Sequence, residues 1–87
     1  MQIILHKNFL KMYAKLSIKV QCKFKERRNI FLQDKFGSVL NNHTLTGKWR
    51  GYRSINVTGN YRALYKEVNN DVVRFVAIGT HSELYGK

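Results

Sequence analysis

The sequence predicts an α+β fold, an N-terminal strand and two helices packed on an antiparallel sheet in the order β-α-α-β-β-β, within a single domain spanning residues 1–87. Two observations carry this prediction. Apolar residues recur at helical spacing from Phe9 to Phe31, then switch to period two after Thr46. Two turn signals, Thr58-Gly59-Asn60 and Asn69-Asn70-Asp71, cut the second half into three strand-length runs, and no proline interrupts them.

Gln2 to Leu5 reads as a short, partly buried strand. Phe9, Met12, Tyr13 and Leu16 then fall at i, i+3, i+4 and i+7, the stripe of a short amphipathic helix with Asn8 as its expected cap. Ser17 is the expected cap of a second helix running to about Phe36 and stopped by Gly37. Its apolar positions include Val20, Phe24, Phe31 and Leu32, which we read as core, and its lysines and arginines read as a solvated face. Ser38 to Thr46 is polar and reads as a loop. The strands follow at about Arg50 to Val57, Asn60 to Val68 and Val72 to Ile78, a three-stranded meander. Helices on one face would leave the opposite face open. Alternation puts Val73, Phe75 and Ala77 on one side of the last strand, with Val72, Arg74, Val76 and Ile78 on the other. Both sides are thus partly apolar, and the face on which Arg53 lies stays open; a bulge near Gly51 would shift it.

Eighty-seven residues with 44% apolar content make one small globular domain with a modest core. Sixteen Lys and Arg against five Asp and Glu leave a net charge of +11, which repels itself in a compact body and calls for an acidic partner. Ile3-Ile4-Leu5 is too short for a spanning helix or a signal-peptide core, so no membrane role is expected. Cys22 stands alone, which excludes an internal disulfide and favours the cytoplasm. His6, His43 and His81 lack metal-ligand spacing, and no metal or other cofactor is expected.

No Asp or Glu occurs between Lys35 and Lys66. Within that run Lys48, Arg50, Arg53 and Arg62 are interleaved with Trp49, Tyr52 and Tyr61. Cations that meet phosphates and rings that stack on bases suit a single-stranded nucleic acid. Aromatic packing between two strands explains the same residues equally well. His81 follows the last strand, with Tyr85 four residues on. Histidine is the side chain best suited to proton transfer near neutral pH. A basic sheet with a histidine at its edge supplies the parts of a metal-free ribonuclease. A base takes the ribose 2′-hydroxyl proton, arginine stabilises the charged phosphorane-like transition state, and an acid protonates the leaving 5′-oxygen.

Three blocks of the chain carry a more specific signal: His43-Thr44-Leu45-Thr46-Gly47-Lys48-Trp49-Arg50-Gly51-Tyr52-Arg53, Tyr61-Arg62-Ala63-Leu64-Tyr65-Lys66, and Gly79-Thr80-His81-Ser82-Glu83-Leu84-Tyr85-Gly86. Together they resemble the RelE/ParE toxin superfamily, and within it the YafQ-type mRNA interferases of type II toxin–antitoxin systems. The resemblance implies a microbial RNase-like fold and a ribosome-dependent endoribonuclease that cuts mRNA in the A site. It implies an acidic antitoxin as partner, with operator DNA bound only through the toxin–antitoxin complex. His81 matches the catalytic C-terminal histidine, Tyr85 the aromatic residue four positions later, and His43 a histidine before the Leu-x-Gly block. Arg62 matches an arginine that faces the scissile phosphate. Lys48, Arg50, Arg53, Asn56, Asn60 and Tyr61 are the expected contacts to RNA or ribosome, with the alternative for Arg53 that it braces the loop at Asn41-Asn42. The YafQ branch carries a histidine where Asn56 stands and an aspartate where Asn60 stands; asparagine cannot titrate, which shifts the acid–base load to His81 with His43 as helper. The alternative is a ParE-like inhibitor of DNA gyrase without nuclease chemistry, on the same fold.

Overall fold

The computed structural model describes residues 1–86. The order is β1 (Gln2–Leu5), α1 (Lys7–Ala14), α2 (Ile18–Gln33), β2 (His43–Thr44), β3 (Arg53–Asn56), β4 (Tyr61–Asn69), β5 (Val72–Thr80) and α3 (His81–Tyr85), with single 3-10 turns at Ser38–Leu40 and Gly47–Trp49. The α+β class and the order of the expected elements hold. Two elements are additional: the two-residue β2, in the stretch expected as loop, and α3 in the tail.

The strands form one sheet ordered β1-β5-β4-β3-β2. β3, β4 and β5 make the expected antiparallel meander, and β2 extends it antiparallel to β3. β1 instead joins β5 in parallel, pairing Ile3 with Val73 and Leu5 with Phe75, so the sheet is mixed. From β1 the chain passes through α1 and α2 to β2 at the far edge and returns strand by strand to β5, which it meets in parallel.

Local chemistry moves two boundaries. α1 is capped by His6, whose Nδ1 accepts from the Asn8 N–H at 3.0 Å, so Asn8 lies inside the helix and is not its cap. The Asn8 amide instead donates to the Val76 carbonyl at 2.9 Å and ties α1 to β5. Ser17 caps α2 as expected, accepting from the Val20 N–H. The helix ends at Gln33 rather than near Phe36, because Asp34 turns extended and its carboxylate accepts from the Phe36 N–H at 3.1 Å. Such a side-chain bond competes with helix continuation. Leu32, expected in the core, is exposed, whereas Phe24 and Phe31 are fully enclosed.

The core lies between the helices and one face of the sheet. Phe75 is its hub, with Phe9, Phe24, Phe31 and Tyr65 at ring separations of 5.9, 5.6, 5.6 and 5.2 Å. Ile55, Val57, Ala63 and Ile78 complete that face. A bulge explains how Phe75 and Ile78 can share it. Leu64 pairs with Ala77 and Tyr65 with Phe75, so Val76 is skipped and the alternation inverts. The bulge sits in the β4–β5 pairing, away from Gly51. On the opposite face Leu64, Ala77 and Leu84 form a second, smaller cluster, packed by Leu45, Trp49 and Tyr85. The face expected to be open is therefore partly covered by α3 and the 45–52 loop. Lys23 and Arg27 pair with Glu26 on the outside of α2, in keeping with a solvated face. Lys35 holds Glu67 at 2.7 Å, and this hydrogen bond keeps the Glu67 carboxyl below its usual range. Among the described residues no helix is long and apolar enough to cross a membrane, and no three His, Cys, Asp or Glu side chains gather into a metal site.

Candidate active site

Strand register builds the site in two rows on the face away from α1 and α2. His43, Ser54, Leu64 and Ala77 lie opposite one another across β2, β3, β4 and β5. Asn56, Arg62 and Gly79 form the next row. His81 follows Gly79 by two residues, at the first turn of α3. Asn41, His43, Leu45, Ser54, Arg62, His81 and Tyr85 together line one cavity of about 300 Å³. Four residues expected to be catalytic, separated by up to 42 positions in the chain, thus share a single pocket.

Each is held by a distinct device. His81 and Tyr85 are one turn apart on α3, with ring centroids 4.5 Å apart. Thr80 caps that short helix through a reciprocal pair: the Glu83 N–H donates to Thr80 Oγ1, and the Thr80 N–H donates to Glu83 Oε1 at 2.8 Å. A Cβ at position 79 would lie 2.8 Å from that Glu83 oxygen, so glycine makes room for the cap. The Trp49 indole N–H donates to the Leu84 carbonyl at 2.9 Å and clamps the other end of α3. Gly47 and Gly51, at φ +65° and +93°, make the loop turns on either side of Trp49. Trp49 packs half-buried against the Leu64, Ala77 and Leu84 cluster, and its ring meets Tyr52 edge-on at 5.3 Å.

His43 Nδ1 lies 2.8 Å from the Asn41 carbonyl oxygen. A carbonyl only accepts, so Nδ1 carries the proton and the Nε2 lone pair of the neutral ring is left for a substrate. The strand bearing His43 is braced from behind by Asn42. Its amide donates to the Lys35 carbonyl at 2.7 Å and to Tyr65 Oη at 2.8 Å, and its oxygen accepts from Arg53 Nε at 2.9 Å. Burial pushes the Tyr65 phenol above its ordinary value, against the opposing pull of the Asn42 bond and the Arg53 charge.

Arg62 Nη1 donates to the carbonyls of Thr58, Gly59 and Tyr61 at 3.0, 3.1 and 3.2 Å. Among the described residues it has no carboxylate partner; the ion pairs present involve Lys23, Arg27 and Lys35. Its positive charge therefore stands uncompensated at the wall of the cavity, which suits a phosphate.

The other expected contacts divide. Lys48 and Arg50 are exposed on the loop beside Trp49. Asn56 lies opposite Arg62. Asn60 lines a second cavity of about 310 Å³ with Gly59, Thr80, His81 and Ser82, so His81 stands between two depressions. Arg53 and Tyr61 do not join the site. Arg53 shares the helix-side face with Ile55, where it holds Asn42 and lies 5.3 Å from the Phe36 ring centroid. Tyr61 packs half-buried against the main core. Ser54 was not singled out in the sequence, and Asn41 and Asn42 only as a loop that Arg53 could brace. A short polar residue two before Asn56 is the sole trace of Ser54, and the Asn-Asn pair before His43 the trace of the brace.

The family described as bacterial toxin of type II toxin-antitoxin system, YafQ, matches residues 1–86. The mRNA interferase toxin YafQ of Escherichia coli strain K12 is 37% identical over 49 residues, covering 56% of this chain and 52% of that relative, so the matched stretch spans about half of the curated relative's length. The crystal structure of YafQ from E. coli strain BL21(DE3) superposes with a TM-score of 0.79 at 27% identity, covering 98% of each chain. YafQ in the E. coli DinJ–YafQ toxin–antitoxin complex superposes at 0.76 with 28% identity, covering 98% of this chain and 97% of that one. With a match over 86 of 87 positions and a common fold, the chain belongs to the YafQ family of bacterial type II toxins.

Proposed function

We propose that this protein is a ribosome-dependent endoribonuclease that cuts mRNA by metal-free acid–base catalysis and is held inactive by an acidic antitoxin in the cytoplasm. The observation that carries this reading is the convergence of His43, Arg62, His81 and Tyr85 on one cavity. His43 Nε2 takes the proton of the ribose 2′-hydroxyl, and the 2′-oxygen bonds to phosphorus. Arg62 neutralises the charge that builds on the non-bridging oxygens. The bond from phosphorus to the 5′-oxygen breaks, and His81, entering as the imidazolium, protonates that oxygen. The products are a 2′,3′-cyclic phosphate and a free 5′-hydroxyl. The Tyr85 ring holds His81 in the geometry this transfer needs. Asn60 lines the cavity beside His81, and the exposed Lys48 and Arg50 suit contacts to RNA. The name of the E. coli relative and its complex with DinJ support the nuclease activity and the antitoxin partner.

Translation of a defined mRNA in a purified system, with 5′ ends mapped, tests the reading. Cuts inside codons that need ribosomes, and that vanish in His81→Ala, are expected. Inhibition of gyrase supercoiling with no cuts would replace the nuclease by the ParE-like alternative.

A further inference from the structure

Among the described residues, Ser54 Oγ and Asn56 Oδ1 are the buried side-chain N or O atoms without a hydrogen-bond partner. Both lie on β3, two residues apart, in the two rows that make up the face bearing the cavity. Ser54 is fully enclosed yet is among the residues lining the cavity shared by His43, Arg62 and His81. Buried polar groups are nearly always satisfied, and each exception calls for an explanation. Here an apolar residue would serve the fold better: Ser54 lies between Arg53 and Ile55, in a strand whose neighbours Leu64 and Ala77 pack an apolar cluster.

We propose that Ser54 holds the ribose hydroxyl of the nucleotide to be cut, and so determines that the site takes RNA. The inference rests on the nuclease reading and adds the residue that reads the sugar. Ser54 pairs in register with His43, the residue whose Nε2 is left for the 2′-hydroxyl proton. As that proton leaves, the 2′-oxygen becomes an acceptor with growing negative charge. The Ser54 hydroxyl is a donor beside it without another partner, and it gives a hydrogen bond without moving a proton. Asn56 Oδ1, which only accepts, lies opposite Arg62, whose Nε and Nη2 have no protein partner among the described residues. It steadies the guanidinium as that group turns to the phosphate. The 2′-hydroxyl is the group by which a protein tells RNA from DNA.

The test uses the full chain with His81→Ala as background, so that substrate is bound and not consumed. Ribosomes are programmed with a short mRNA carrying either ribose or 2′-deoxyribose at the nucleotide cut by the wild type. The His81→Ala protein should bind the ribose form roughly three- to tenfold more tightly, the range of one hydrogen bond. Adding Ser54→Ala should bring both forms to the weaker affinity, with an unchanged or higher Tm, because an unsatisfied buried hydroxyl is removed. A ribose preference that survives Ser54→Ala overturns the inference while the nuclease reading stands. A Tm that falls in Ser54→Ala shows a structural hydroxyl and overturns it too. Wild-type protein that cuts no mRNA on ribosomes overturns both.

Discussion

Single atoms decide what each residue of the pocket can do. The Asn41 carbonyl fixes the protonated nitrogen of His43, so His43→Ala should slow mRNA cutting by about 10²–10⁴-fold with ribosome affinity little changed, as measured by single-turnover cleavage. His81→Ala should show a loss in the same range with an unchanged Tm, since its side chain is exposed and Thr80 and Glu83 cap the helix without it. In the proposed mechanism Arg62 does two jobs with one planar group. Nη1 binds the 58–61 turn while the other nitrogens remain for phosphate. Lysine has a single nitrogen and cannot do both, so Arg62→Lys should recover little of the roughly 10²–10³-fold loss expected for Arg62→Ala. Cleavage rates of the two variants, compared at saturating ribosomes, check this.

At the level of elements, the short β2 depends on the side chain behind it. Asn42 joins Lys35, Arg53 and Tyr65, and so fastens the strand that carries His43 to the core. Asn42→Ala leaves those groups without partners and should cost about 1–3 kcal/mol in urea unfolding. It should also slow cleavage, because His43 loses its anchor. Tyr65 provides a pH signature of the same brace. Burial raises its phenol above the usual value of 10.0. The folded state therefore holds that proton more tightly, and the stability it contributes is complete below pH 10 and lost as pH rises through the folded value. Melting scans from pH 9 to 11 should show this alkaline loss in the wild type and a flatter profile in Tyr65→Phe. The elements themselves were legible because period 3.6 and period two leave different patterns in Phe9–Phe31 and Ile55–Ile78. What escaped was set by single residues. The bulge at Val76 inverts the facing of β5 without any glycine or proline to mark it. β2 is two residues long, too short to show a period. Asp34 ends α2 through a local bond that its apolar pattern does not reveal.

For the molecule as a whole, charge and shape act together. Net charge of +11 on 87 residues suits a phosphate-rich surface. Ribosome affinity should fall steeply with salt, and Lys48→Ala or Arg50→Ala should each lower the log–log slope by roughly 0.7–0.9 if the side chain meets a phosphate. Arg53→Ala should leave the slope unchanged and lower Tm instead, because its guanidinium faces Asn42 and Phe36. Measuring both slopes separates binding cations from bracing ones. The sequence leaves both roles open for Arg53, and the bond to Asn42 favours the brace. His81, Tyr85, Arg62 and His43 were legible through their resemblance to a known family. Ser54 was not, because an unpartnered hydroxyl exists only once neighbours have packed around it.

The parallel pairing of β1 with β5 ties Gln2 to Val72 and Leu5 to Phe75, partners seventy residues apart. Phe75 is also the hub of the aromatic core, so neither sheet nor core can close until the last strand has been made. A growing chain therefore remains open at least until β5 has been made, because the non-local contacts arrive with that strand. Nascent chains stalled before Val72 should be digested readily by protease, and chains extended past Thr80 and clear of the exit tunnel should resist it. Until β5 has been made, neither the core nor the cavity that rests on it can exist.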